Sequence, residues 1–149
     1  MRNNMKRKQS FLEIFHRCIF LEKKCRNQLL EKIGITSTQF FLLTLIKKNG
    51  VISQKELFFH YKLSQEGLYY TLTKMEKKNL IRKFPSKDNY KIILLEPTKN
   101  GLKKARQAED YLAQMENTML FHFTEKEKAC LLAYLNRINR NLSAPNYYF

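Results

Sequence analysis

A chain of 149 residues with 44% hydrophobic and 13% aromatic content can bury the core of one compact domain with helical extensions, which excludes disorder over its whole length. Its 28 Lys and Arg against 13 Asp and Glu give a formal charge of +15, a field that attracts polyanions. The apolar run near the N-terminus is broken by Glu13, His16 and Arg17 and fails as a signal peptide; no clean run approaches the ~20 residues of a membrane span, so a cytoplasmic protein with no membrane partner is expected.

In chain order, residues 1–10 carry Arg2, Lys6, Arg7 and Lys8 with no acid and read as a basic arm. From Phe11, apolar positions at Phe11, Phe15, Cys18, Cys25 and Leu29 follow helical spacing, widened by Leu12, Ile19, Leu30 and Ile33, until Gly34 stops the helix. This first helix is apolar over more of its circumference than one core requires, so part of it is expected to bury against another chain. Thr36 with Gln39 has the form of a capping box and opens a second helix through Phe40, Leu43 and Ile46 that Asn49 and Gly50 end. Val51 and Ile52 leave room for a very short strand. Ser53 with Glu56 caps a third helix with Leu57 and Tyr61 on one side, and Ser64 caps a fourth, Gln65 to Lys78.

The fourth helix has a narrow apolar stripe at Leu68, Leu72 and Met75. Its opposite face carries Glu66, Tyr70, Thr73 and Lys77, flanked by Tyr69 and Lys74. Asn79 is expected to be a left-handed cap. Leu80 to Phe84 and Tyr90 to Leu95 then read as two strands of a hairpin whose charged tip is Pro85 to Asn89. Thr98 caps a fifth helix through about Asn117, with Leu102, Ala105, Ala108, Leu112 and Met115 inward, and Pro97 precedes it as a ladder breaker. Thr124 with Glu127 opens a sixth that is expected to bury Leu131, Leu135, Ile138 and Leu142 and to end at Pro145.

The fold class is therefore mainly α with a small β-hairpin wing (α+β). Helix, short turn, helix and hairpin is the order of a winged helix-turn-helix, whose second helix enters the major groove while the hairpin reaches the adjacent backbone. Charge is placed to suit: between Lys62 and Lys91 stand eight basic residues (Lys62, Lys74, Lys77, Lys78, Arg82, Lys83, Lys87, Lys91) against Glu66, Glu76 and Asp88. The groove-facing candidates are Gln65, Tyr69, Tyr70, Thr73, Lys74 and Lys77. Ser53, Gln54 and Ser64 are candidates at helix N-termini, where free amides favour anions. On the wing the candidates are Ser86, Lys87, Asn89 and Lys91.

The order of elements, with Ile35-Thr36-x-x-Gln39-Phe40, Gln54-Lys55-Glu56-Leu57, Leu63-Ser64, Leu68, Met75 to Ile81, Lys83 and Thr98-x-x-Gly101, resembles the MarR family of bacterial transcription regulators. The resemblance implies a winged helix-turn-helix over 35–97 and helical dimerisation regions over 11–34 and 98–142, with a tail from 143 to 149. It implies a homodimer acting as a repressor, gripping half-sites of a pseudo-palindromic double-stranded operator about 34 to 36 Å apart. It also implies a small-molecule effector, often a phenolic or lipophilic anion, between the dimer and DNA-binding parts. Phe15, Ile19, Phe41 and Leu45 are candidates for that cleft, with ordinary core packing as their other use. Two departures stand out. Gly67, Tyr69 and Tyr70 occupy positions where the family has small hydroxyl residues and an Arg, and Asn89-Tyr90-Lys91 replaces the Asp-x-Arg brace of the wing, leaving that brace weakened or shifted.

Other chemistry lacks support. Cys18, Cys25 and Cys130 form no CxxC and read as reduced thiols; the seven-residue spacing of Cys18 and Cys25 on one helix face invites a redox-sensor reading, but free Cys is among the most buried residue types, so packing is expected. His16, His60 and His122 are isolated, so no metal is expected. Nothing resembles a nucleophile elbow, a phosphate-binding loop or a carboxylate pair, so the chain is read as a non-enzyme with no cofactor. The alternative from another class is a basic winged-helix module that binds an acidic protein partner, or DNA without sequence preference.

Overall fold

The computed structural model describes residues 10–60 and 64–143. Residues 1–9 of the basic arm, Tyr61, Lys62, Leu63, and residues 144–149 of the tail, Pro145 among them, lie outside the described residues. The elements are α1 (Phe11–Lys32), α2 (Ser37–Asn49), β1 (Ile52–Ser53), α3 (Gln54–His60), α4 (Gln65–Lys77), β2 (Ile81–Pro85), β3 (Ile93–Pro97), α5 (Lys99–Met119) and α6 (Glu125–Ser143). They fall into two compact units, one through Ala113 and one from Gln114. The division falls inside α5 rather than at Thr98, because Gly101, Ala105 and Ala108 bury the first half of that helix in the winged unit.

Helix starts follow from side chains that satisfy the otherwise orphaned first-turn amides. Ser10 and Glu13 cap each other at α1, and Thr36 and Gln39 do the same at α2. Ser53 and Glu56 form the pair at α3, Thr124 and Glu127 at α6. Ser64 Oγ accepts from the Gly67 N–H at 3.1 Å, and Thr98 Oγ1 from the Gly101 N–H at 2.9 Å. The stops are backbone features: Gly34, Gly50 and Asn79 have φ of 74°, 71° and 54°.

The winged unit closes over a single core of Leu30, Ile33, Ile35, Leu42, Leu43, Ile46, Ile52, Leu57, Leu68, Leu72, Met75, Leu80, Ile81, Leu95, Ala105 and Ala108. The sheet order is β1-β3-β2, all antiparallel, with Ile52 opposite Leu95 and Lys83 opposite Leu95 on the other side. β3 is thus central and β2 an edge, where Pro85 is tolerated for want of a ladder partner on one side.

The hairpin register differs from expectation. β3 begins at Ile93 and runs to Pro97, so Tyr90 and Lys91 belong to the tip, which spans 86–92. Asn89 causes the shift: its side chain accepts from the Lys91 N–H at 3.0 Å and its carbonyl from the Ile92 N–H at 2.9 Å, folding a local turn where a strand was expected to start. Pro97 ends β3 opposite Ile81 instead of standing outside it.

Apolar stripes on α1 and α6 also differ from expectation. Of α1 only Leu30 is buried, and among the described residues α6 buries none: Leu132, Tyr134, Leu135 and Leu142 are exposed, with Leu131 and Ile138 half-buried. Cys18, Cys25 and Cys130 are exposed as well, so the packing expected of them does not occur among the described residues. Among the described residues no single helix is long and apolar enough to cross a membrane, and no cluster of His, Cys, Asp or Glu could hold a metal.

Candidate nucleic-acid interface

Helix α4 is fixed by the burial of Leu68, Leu72 and Met75, on the spacing i, i+4, i+7. That anchoring turns Gln65, Glu66, Tyr69, Tyr70, Lys74 and Lys77 outward, and Tyr69 and Tyr70 are each 61% exposed. An exposed pair of adjacent tyrosines has no role in the core. Each ring instead lies beneath an ammonium: Lys74 Nζ is 4.1 Å from the Tyr70 centroid, and Lys83 Nζ is 5.4 Å from that of Tyr69. Thr73 is half-buried; its hydroxyl donates to the Tyr69 carbonyl at 2.9 Å and accepts from Lys83 at 3.4 Å.

The basic residues of this segment divide into those with a partner inside the protein and those turned to solvent. Lys78 donates to the Gly34 carbonyl at 2.7 Å and to Gln39 Oε1 at 3.3 Å, tying the end of α4 to the α1–α2 turn. Lys83 pairs with Glu76 at 3.4 Å, and its side chain is only 15% exposed. Arg82 grips Glu96 through both Nη2 and Nε, at 2.6 and 2.8 Å, across the register that sets those residues opposite each other. Among the described residues Lys77, Lys87 and Lys91 form no ion pair, and all three are exposed.

Arg82 and Glu96 thus brace the wing at its root, away from Asn89-Tyr90-Lys91, where the brace was expected to be weakened or shifted. Ser86 is half-buried and its N–H donates to the Ile92 carbonyl at 2.8 Å, closing the tip beyond which Lys87, Asn89 and Lys91 project. Lys83 and Arg82 counted towards the charge of this segment but were not among the site candidates read from the sequence. The period of two in β2 could have found Lys83, since it stands on the face of buried Ile81 and must meet α4.

Ser53 does not stand where a phosphate contact was expected. It is 8% exposed, and its hydroxyl donates to Glu56 Oε2 at 2.7 Å while accepting from the Glu56 N–H at 3.1 Å. The Ser53 hydroxyl and then its N–H hold the Glu56 carboxyl below the ordinary glutamate range. Gln54 is half-buried and lines an open cleft between α3 and α4 with Lys55, Phe58, Gln65, Glu66, Leu68 and Tyr69; Ser64 is exposed as the α4 cap.

Of the expected effector cleft, Leu45 packs on the core, Phe15 stacks on Phe11 at 5.4 Å, and Ile19 and Phe41 are exposed. None of the four lines the α3–α4 cleft, nor the clefts along α5 and at the α1–α2 turn.

Comparison with known proteins agrees with this geometry. Residues 35–93 match the MarR family model. The chain is 28% identical over 110 residues to the HTH-type transcriptional regulator YybA of Bacillus subtilis (strain 168), covering 74% of this chain and 73% of that one. Its fold is similar to a MarR variant from E. coli complexed with operator DNA (TM-score 0.70, 21% identity, 84% of this chain and 90% of that chain). It is also similar to S. aureus MepR in complex with DNA (TM-score 0.73, 19% identity, 90% and 99%). The winged helix-turn-helix segment, residues 35–93, is thus matched by the MarR family model, and the fold around it is similar to that of these structures.

Proposed function

We propose that this regulator binds double-stranded DNA as a homodimer and acts as a repressor on a pseudo-palindromic operator, with α4 in the major groove and the wing on the adjacent backbone. The observation that carries the reading is the two-sidedness of α4: a stripe locked into the core and, opposite it, polar and aromatic side chains beside an exposed basic wing. Dimerisation is supported by the large apolar side chains that stay exposed in the single chain, Phe11, Leu12, Ile14, Phe20 and Leu21 on α1 and Leu132, Tyr134 and Leu142 on α6. Exposed apolar area of this kind is what a stable interface covers.

The test is selection of bound fragments from native genomic DNA at about 0.15 M salt, with sedimentation to count protomers. A palindromic consensus bound by two copies is expected. Featureless binding would leave instead the basic module that meets an acidic protein or any duplex. On the selected duplex, Lys77→Ala should weaken binding to all sequences and reduce the slope of log affinity against log salt by about 1. An unchanged slope would show that Lys77 never meets phosphate.

A further inference from the structure

We propose that Tyr69 and Tyr70 read the 5-methyl groups of thymine in the operator half-site, with Lys83 and Lys74 as the positioning residues that hold the two rings. This rests on α4 lying in the major groove and names what it recognises there.

Base edges in the major groove differ in their donors, acceptors and one apolar group, the thymine methyl. Guanine is read chiefly by Arg or Lys bonded to O6 and N7, but α4 contains no Arg. Of its two lysines, Lys74 is folded over Tyr70 and Lys77 lies in the last turn of the helix, whereas groove contacts come from the N-terminal part. The large exposed side chains in the first two turns are Gln65, Glu66, Tyr69 and Tyr70. Gln65 suits the N6 and N7 pair of adenine, and a carboxylate such as Glu66 accepts only from amino groups, those of adenine or cytosine. The two rings supply apolar surface, and the apolar feature they would meet is the thymine methyl.

Free tyrosines on a helix surface would sample several rotamers, and ordering them on binding would cost affinity. Here the rotamers are restrained in advance. Lys83 is held by Thr73 Oγ1 and Glu76 at 3.4 Å each, with its ammonium on the Tyr69 ring, so a strand of the wing fixes a side chain of the recognition helix. Lys74 does the same for Tyr70 from one turn further along α4. Each cation occupies one face of its ring and leaves the rest of the ring to the base.

The consensus duplex selected by the wild-type protein is resynthesised with deoxyuridine for thymidine at single positions, which removes only the methyl group, and with 7-deazaguanine at single guanines, which removes only N7. At one or two thymines per half-site, uracil should weaken wild-type binding about three- to fivefold, while 7-deazaguanine should change it less than about twofold in the stretch under α4. Tyr69→Ala and Lys83→Met should each lose the difference between thymine and uracil at the same position with the salt slope unchanged, and Lys83→Arg, which keeps a cation over the ring, should retain it. Uracil sensitivity that is absent, or exceeded by 7-deazaguanine sensitivity, overturns the proposal while leaving the operator reading intact. A fall of about 1 in the salt slope of Lys83→Met overturns the positioning role, because it places that ammonium on phosphate. Failure to select any consensus overturns the operator reading and this inference together.

Discussion

Replacing Gly101 by alanine sets two effects of opposite sign against each other. Gly101 lies in the first turn of α5 with ordinary helical backbone, so alanine should by helix propensity alone stabilise the chain by up to about 1 kcal/mol. In place, however, a Cβ at this position would overlap the backbone carbonyl oxygen of Leu80 and come within 3.3 Å of Leu43 Cδ1. That carbonyl cannot turn away freely, since it accepts the Thr98 N–H at 3.1 Å and belongs to the buried residue that follows the left-handed Asn79. Moving α5 outward strains or breaks the bond from Thr98, worth about 1 kcal/mol, on top of about 1 to 3 kcal/mol for overpacking. The net expectation is destabilisation by about 2 kcal/mol, or roughly 4 to 8 °C in melting temperature for a chain of this size. Thermal and urea unfolding of Gly101→Ala beside Gly67→Ala measure it. Gly67 faces only the Ser64 hydroxyl at 3.0 Å, a group that can rotate, so its variant should stay within about 1 kcal/mol of wild type. A Gly101→Ala protein as stable as wild type, or more stable, would refute the close approach of α5 to the wing root.

Two further predictions concern helix starts. Thr36→Ala removes one arm of the α2 capping box and should cost about 1 kcal/mol, read as a lower urea midpoint with an unchanged slope; no change would mean that water replaces the threonine without loss. The Glu56 and Glu127 carboxyls are both held below the ordinary glutamate range, by Ser53 and by the N–H and hydroxyl of Thr124. A depressed carboxyl contributes stability above its unfolded pKa and loses it as pH falls through the folded one. Glu56→Gln should therefore be less stable than wild type near neutral pH and converge on it in acid, and a gap that persists below the folded pKa would assign the effect to something other than charge.

How much of this was legible in the sequence depends on whether a signal was local. The capping pairs at Thr36, Ser53 and Thr124 and the stops at Gly34, Gly50 and Asn79 act within a few residues, and they place the helices closely. The stripe Leu68, Leu72, Met75 needed only helical periodicity to reveal which side of α4 is buried. The second wing strand was placed three residues too early at its start and two at its end, because strand propensity at Tyr90 and Lys91 competes with the Asn89 turn, and only the paired strand decides between them. Charge counting could not separate Lys78, Arg82 and Lys83, which have partners in the fold, from Lys77, Lys87 and Lys91, which face solvent. Likewise an apolar stripe such as Leu131, Leu135, Ile138 and Leu142 announces that something covers it without saying whether that surface lies in the same chain.

The carbonyl end of α4 carries a consequence of an electrostatic kind. A helix is a row of aligned peptide dipoles, equivalent to about half a positive charge at its start and half a negative charge at its end. At the end of α4 the Asn79 carbonyl accepts from Thr98 Oγ1 at 2.6 Å and Asn100 Nδ2 at 3.3 Å, and the Lys78 carbonyl from the same amide at 3.3 Å. Lys74 and Lys77 stand in the last turn. The negative pole is thus quenched by hydrogen bonds from the segment that opens α5 and by cations on α4 itself, while at the start of the helix Ser64 caps the Gly67 N–H and Glu66 stands in the first turn. With its repelling pole quenched, α4 can lie along a polyanion without penalty at its carbonyl end, and the attraction of its exposed cations should weaken as added salt screens it.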